Sequence, residues 1–103
     1  MKKSALLDKI RKEIKIIAPD AKAMLFGSRA KGLAAPDSDW DILILLDKDK
    51  VETSDYDTIA YPLFELGWQF NEHFSVKLYT QQEWEKRNFT LFYKNVEKEG
   101  IIL

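Results

Sequence analysis

The chain has 103 residues, 46% of them hydrophobic and 32% charged, which is typical of one globular domain, predicted here to span residues 1–103. It contains no cysteine, which excludes disulfides and thiolate metal sites, and no apolar stretch approaches the roughly 20 residues that cross a bilayer, so a cytoplasmic protein without a membrane partner is expected. The formal net charge is −1, so the basic surface that supplies most non-specific nucleic-acid affinity is not expected either.

The first half of the chain alternates helices and strands. Apolar residues at near-helical spacing predict a helix over residues 4–18, which Pro19 ends. Residues 22–26 form a short apolar stretch typical of a strand, and residues 28–31 predict one helical turn closed by a glycine. After a Pro-Asp-Ser turn, the apolar run of residues 39–46 predicts the second strand.

A third helix is predicted from Ser54 toward Phe70. Ser54 and Asp57 stand three residues apart, which resembles a capping box with a shorter acid. Pro62 lies inside this span and has no backbone N–H, so a kink or a restart of the helix is expected there.

The remaining chain predicts one more strand and further helix. Residues 74–79 alternate apolar and polar side chains, which indicates a strand with two different faces. Thr80 and Glu83 form a second capping-box pattern, and a last helix over residues 90–99 is expected to stop at Gly100. This order of elements predicts an α/β domain of two or three layers.

Two aspartates at the start of the second strand are the strongest candidates for chemistry. Successive strand residues point to opposite faces, so Asp39 and Asp41 share one side and Trp40 takes the other. Unpaired acids at the mouth of a core strand are costly unless a cation joins them, and a divalent metal carrying a triphosphate would do so. Gly27 lets the backbone approach a phosphate without an intervening Cβ, and the Ser28 hydroxyl can donate to phosphate oxygens.

The segment Gly27-Ser28-Arg29-Ala30-Lys31-Gly32, followed by Ser38-Asp39-Trp40-Asp41, resembles the signature of the DNA polymerase β-type nucleotidyltransferase superfamily, above all its minimal nucleotidyltransferase domains. The resemblance implies the nucleotidyltransferase (polymerase β-like) fold, a small mixed β-sheet packed with helices. It implies that the two aspartates are catalytic, bind Mg²⁺ or Mn²⁺ and assist transfer of a nucleotidyl group to a hydroxyl. The nucleotide expected is a nucleoside triphosphate, ATP by preference, and Arg29 and Lys31 are further candidates for contact with its phosphates.

The same resemblance suggests a protein partner. Minimal domains of this kind are often paired with a small helical protein of the HEPN class, which can carry the acceptor hydroxyl, and the domain then acts as an antitoxin. A homo-oligomer is also left open.

One feature departs from the family pattern. Catalytic members usually have a third carboxylate on the later strand beside the aspartates, and residues 74–79 contain no acid. Lys77 is the most natural match for that position and Ser75 is the alternative with the same parity. Lys77 could take the place of the metal, or it could bind a phosphate of the nucleotide. Glu72 and His73 lie just before this strand and could substitute for the missing acid, but nothing in the sequence predicts their position. The alternative function is therefore a catalytically inactive domain that acts by binding a partner.

Overall fold

The computed structural model describes residues 3–103, so Met1 and Lys2 of the predicted domain lie outside the described residues. The helices are α1 (Lys3–Ile17), α2 (Gly27–Lys31), α3 (Thr53–Asp55), α4 (Tyr61–Gln69), α5 (Gln81–Lys86) and α6 (Leu91–Glu99), and a π-helical turn (Tyr56–Ala60) joins α3 to α4. The strands are β1 (Lys22–Phe26), β2 (Trp40–Leu46), β3 (Phe74–Thr80) and β4 (Ile101–Ile102).

The strands form one four-stranded sheet in the order β3-β2-β1-β4. β1 is antiparallel to both of its neighbours, whereas β2 and β3 are parallel. A parallel pair requires a crossover connection, and α3, the π-helical turn and α4 supply it. The predicted mixed sheet is confirmed, and β2 and β3, which carry the candidate residues, lie side by side.

The sheet is covered on both faces, which makes three layers. On one face Ile42 and Ile44 belong to a core that includes Ile10 of α1. On the other face Leu43 packs in a separate cluster with Trp84 of α5. A strand covered on both sides must be apolar at nearly every position, and this explains the continuous apolar run of β2.

The predicted capping box at Ser54 and Asp57 is wrong. The helix begins at Thr53, and the acid that accepts from the backbone at its start is Asp55, whose Oδ2 receives the Glu52 N–H at 2.7 Å. The earlier start reflects a second partner, because Asp55 also pairs with the ammonium group of Lys48 at 3.1 Å.

The C-terminal part agrees with the predicted elements except at its end. Thr80 and Glu83 form the expected capping box, with Glu83 N–H donating to Thr80 Oγ1 at 3.0 Å and Thr80 N–H to Glu83 Oε1 at 2.9 Å. Gly100 ends α6 in an extended conformation and leads into β4, a strand that was not predicted and that pairs Ile101 with Leu25. Within residues 3–103, no helix combines the length and hydropathy needed to cross a bilayer.

Candidate active site

The site is built around a contact between Asp41 and Gly27. Phe26, the last residue of β1, pairs with Asp41 across the antiparallel ladder, so the bend that follows it meets the start of β2. Gly27 has φ +74°, and a Cβ built on it would overlap the carboxylate oxygen Oδ2 of Asp41. Both the backbone conformation and the lack of space therefore require glycine here. The glycine–serine bend and the second aspartate, predicted to share one site, lie next to each other.

Burial and two neighbouring charges act on the Asp41 carboxyl. Burial raises the pKa of the half-buried Asp41 carboxyl, the charge of Asp39 raises it further, and the positive charge of Lys77 lowers it in part. Asp39 is exposed at the residue preceding β2. The charge of Asp39 acts on the Asp41 carboxyl, Lys77 balances it only in part, and carboxylate oxygens are the ligands that a hard divalent cation prefers. The donor set thus fits Mg²⁺ or Mn²⁺.

A third acidic ligand does not join them in the part of the chain that is described. Residues 3–103 contain no group of three or more His, Asp or Glu side chains arranged to hold a metal ion. In the parallel pairing of β2 with β3, Ser75 stands directly opposite Asp41, and Lys77 stands opposite Leu43, one same-face position further along the strand. Ser75 is half-buried and Lys77 is exposed. The prediction that Ser75 and Lys77 lie on the same face of the sheet as Asp41 is confirmed, but the immediate neighbour of Asp41 on that face is Ser75.

Arg29 is directed away from the aspartates. Its guanidinium donates to the carbonyls of Ser38 and Pro36, both through Nη2, at 2.9 and 3.1 Å. It also lies 4.7 Å from the ring centroid of Trp40, a residue on the opposite face of β2, and 3.6 Å from a carboxylate oxygen of Glu72. Only 3% of the Arg29 side chain is exposed. The loop therefore engages Arg29, and Arg29 engages Glu72, so the guanidinium does not face the aspartates.

Lys31 remains near the bend. Its ammonium lies 2.9 Å from Glu99 Oε2, in an exposed ion pair that links α2 to α6. Both residues border a cleft of about 200 Å³ beside the bend. The lining residues of the cleft are Phe26, Gly27, Lys31, Phe92, Asn95, Val96 and Glu99. The α6 residues of this cleft were not predicted as site residues, since nothing in their own spacing indicates that α6 packs beside the bend.

A larger cavity lies elsewhere on the same side of the sheet. It has a volume of about 510 Å³ between β1 and α5, near Lys22, Leu45 and Trp84. None of the predicted site residues lines it.

Known proteins resemble this chain in sequence and in fold. The family model for the nucleotidyltransferase domain matches residues 7–103. The terminal uridylyltransferase Cid1 of Schizosaccharomyces pombe is 43% identical over 63 residues, which are 61% of this chain but only 15% of the length of Cid1. A crystal structure of a toxin–antitoxin with AMP-PNP matches with a TM-score of 0.65 at 21% identity, over 92% of this chain and 69% of the other. A mutant of the toxin–antitoxin MntA–HpeT matches with a TM-score of 0.60 at 19% identity, over 94% and 69%.

Because their sequence identity to this chain is low, the two solved structures are evidence for the fold alone. They agree with the mixed sheet and covering helices described above. The family model extends over nearly the whole chain, including the bend at Gly27 and the aspartates of β2. The chain is accordingly a member of the nucleotidyltransferase domain family, as the glycine–serine and Asp-x-Asp motifs predicted.

Proposed function

We propose that this domain binds a nucleoside triphosphate, ATP by preference, and transfers its AMP portion to a hydroxyl group. The observation that supports this most is the contact between Gly27 and the carboxylate of Asp41, because it puts the proposed metal ligand directly against the glycine–serine bend that would contact the phosphates. In the reaction, the acceptor oxygen forms a bond to the α-phosphorus, the bond from that phosphorus to the bridging oxygen breaks, and pyrophosphate and a proton leave.

In this proposal each site residue has a distinct role. Asp39 and Asp41 hold Mg²⁺ or Mn²⁺, which when bound neutralises charge on the triphosphate and the leaving pyrophosphate. Gly27 lets the Asp41 carboxylate lie against the bend, and the Ser28 hydroxyl donates to a phosphate oxygen. Lys31 exchanges Glu99 for a phosphate, since an exposed ion pair contributes only about 0–1 kcal/mol and is easily given up.

The acceptor that we propose is a hydroxyl on a HEPN-type helical partner, with this domain acting as the antitoxin. The two solved structures described above are toxin–antitoxin proteins, and one of them contains AMP-PNP. AMP-PNP resembles ATP in its base, sugar and charge, which favours ATP as the nucleotide here.

Transfer of label from ATP tests the proposal. The purified domain is mixed with Mg²⁺ and ATP labelled at the α-phosphate, alone and together with any small helical protein that the adjacent gene encodes, and label on either protein is measured. Asp41→Asn is expected to lower incorporation by at least about a hundredfold, since even groups that only orient metal ligands contribute about 10–100-fold to affinity or activity. Asp47→Asn is the matched control, because Asp47 is an exposed acid just beyond the other end of β2. Full incorporation by the Asp41 variant would contradict the proposed role of the aspartates.

A second candidate is a catalytically inactive domain that acts by binding its partner. Two observations favour it: Ser75 lies where β3 runs beside Asp41, and the positive charge of Lys77 opposes part of the rise in the pKa of Asp41. A lysine that balances the aspartates would make a metal unnecessary for the fold. This candidate predicts no label on any partner and no binding of a divalent cation.

A further inference from the structure

The two residues that flank Asp39, Ser38 through its carbonyl and Trp40 through its ring, contact a single side chain, Arg29. Arg29 donates to the Ser38 carbonyl through Nε at 3.3 Å and Nη2 at 2.9 Å. The same guanidinium stacks on the ring of Trp40 at 4.7 Å from its centroid. Asp39 stands between these two residues and is itself exposed, so its place is determined by what holds its neighbours.

The arginine is held in turn from the β3 side of the sheet. Glu72 Oε2 lies 3.6 Å from Arg29 Nη2 and accepts the indole N–H of Trp40 at 3.2 Å. The backbone N–H of Trp40 donates to the His73 carbonyl at 2.8 Å. A guanidinium so deeply buried is costly unless its charge and donors are satisfied, and here its charge pairs with Glu72 while it donates to the Ser38 and Pro36 carbonyls.

We infer that Arg29 is a positioning residue that acts through Asp39. By holding Ser38 and Trp40 it keeps the Asp39 carboxylate beside that of Asp41, so that the pair is ready for a cation. Without this clamp, Asp39 must be ordered when the cation binds, and the entropy lost in ordering lowers the affinity. The inference rests on the proposed function, because the cation is the one assigned there to the two aspartates.

Titration of the whole chain with Mn²⁺ alone, followed by electron paramagnetic resonance of free Mn²⁺, tests this role. Arg29→Met is expected to weaken binding about 10–100-fold, the range known for groups that orient metal ligands. Arg29→Lys is expected to be intermediate, because an ammonium keeps the charge but cannot hold the carbonyl and stack on the ring as the planar fork does. Arg11→Met is the matched control, since Arg11 is on α1 and makes only a surface ion pair with Asp8.

A double-mutant comparison separates positioning from a general loss of structure. If Arg29 acts through Asp39, Arg29→Met changes Mn²⁺ affinity little in a chain that already carries Asp39→Asn. An equal loss in both backgrounds, or no loss in either, would overturn the inference. If the chain with Arg29→Met does not fold, the same comparison of Mn²⁺ affinity is made with Arg29→Lys.

Failure of the proposed function gives a different result. If the unmodified chain binds no Mn²⁺, the proposed metal site fails, and hydrogen exchange of the backbone amides of residues 38–40 then decides the positioning itself. Faster exchange in Arg29→Met than in Arg11→Met supports the clamp, and equal exchange overturns it.

Discussion

At the scale of single residues, Gly27 and Asp41 determine whether a nucleotide site can exist. Gly27 has a φ of +74°, in the left-handed region. The Asp41 carboxylate occupies the space where a Cβ of residue 27 would lie. The carboxylate is therefore kept close to the backbone bend and partly shielded from water. Such an acid is poised to bind a cation and, without one, destabilises the fold.

Replacing Asp41 by asparagine should therefore stabilise the chain at neutral pH. Burial and the charge of Asp39 raise the pKa of Asp41 in the folded state, so the native protein binds more protons than the unfolded one near that pKa. Stability of the unmodified chain is expected to rise as the pH falls from neutral through the raised pKa toward the ordinary value. The gain in Tm of Asp41→Asn is accordingly largest at neutral pH and vanishes in acid.

Thermal unfolding without metal between about pH 3 and about pH 8 measures this dependence. Asp47→Asn serves as the control, because Asp47 is exposed at the end of the strand distant from Asp39. A Tm difference for Asp41→Asn that is the same at all pH values would contradict the assigned cause.

At the scale of elements, the crossover between β2 and β3 shows how a proline and a capping acid together determine where a helix begins and restarts. Pro62 has no N–H to donate, and its ring would clash with the carbonyl four residues earlier in a regular helix. A π-helical turn precedes it, in which the Tyr61 N–H donates to the Tyr56 carbonyl, five residues earlier. The restart expected from Pro62 is confirmed in this form, whereas the start of the helix is set by Asp55 and not by Ser54.

The two acids of this segment should differ in their effect on stability. Asp55→Ala is expected to lower the free energy of unfolding by about 2 kcal/mol, because it removes a buried carboxylate that accepts the Glu52 N–H. Asp57→Ala, at an exposed position of the π-helical turn, is expected to change it by no more than about 0.5 kcal/mol. Urea unfolding of both variants measures the difference.

The contribution of Asp55 also depends on pH. The Glu52 N–H, followed by the Lys48 ammonium, lowers the pKa of Asp55 in spite of its burial. Its stabilisation is therefore present above the ordinary pKa and is lost as the pH falls through the lowered one.

Equal losses of stability for Asp55→Ala and Asp57→Ala at neutral pH would instead support the capping box that the sequence predicts at Ser54 and Asp57.

At the scale of the whole molecule, the site lies where three strands meet. The end of β1 supplies the bend, the start of β2 supplies the aspartates, and β3 supplies Ser75 and Lys77. Helices cover the sheet on both faces, so these strand ends are held by two separate groups of core residues. A cation bound at this junction would stabilise the whole fold.

Thermal unfolding with Mn²⁺ should distinguish the enzyme from the inactive domain. If the chain binds the metal, a concentration of about 100 times Kd adds about 2.7 kcal/mol, which raises Tm by roughly 4–8 °C per kcal/mol for a domain of this size. Lys77→Asp is expected to bind Mn²⁺ more tightly than the unmodified chain, because a carboxylate that can bind the metal replaces a positively charged ammonium group that repels it. Lys77→Ala separates the removal of the ammonium from the addition of an acid. A Tm that Mn²⁺ leaves unchanged in the unmodified chain but raises in Lys77→Asp would favour the inactive domain, in which Lys77 takes the place of the metal.

Local sequence by itself determined most of the elements and the central pair of acids. Alternation in β3 and the unbroken apolar run of β2 depend on side-chain period, which is a property of neighbouring residues. Alternation also determines that Asp39 and Asp41 share a face, and the positive φ of the bend requires the glycine that the motif supplies.

Only the tertiary structure decided which partners these residues meet. Arg29 belonged to the predicted phosphate contacts by its place beside Ser28, but long-range packing directs its guanidinium to Ser38, Trp40 and Glu72. The register of β3 against β2 decided that Ser75 stands beside Asp41, and the short strand β4 forms only because β1 has an unpaired edge to receive it. Strand pairing and buried ion pairs join residues far apart in the chain, and the spacing of residues along a single segment carries no information about them.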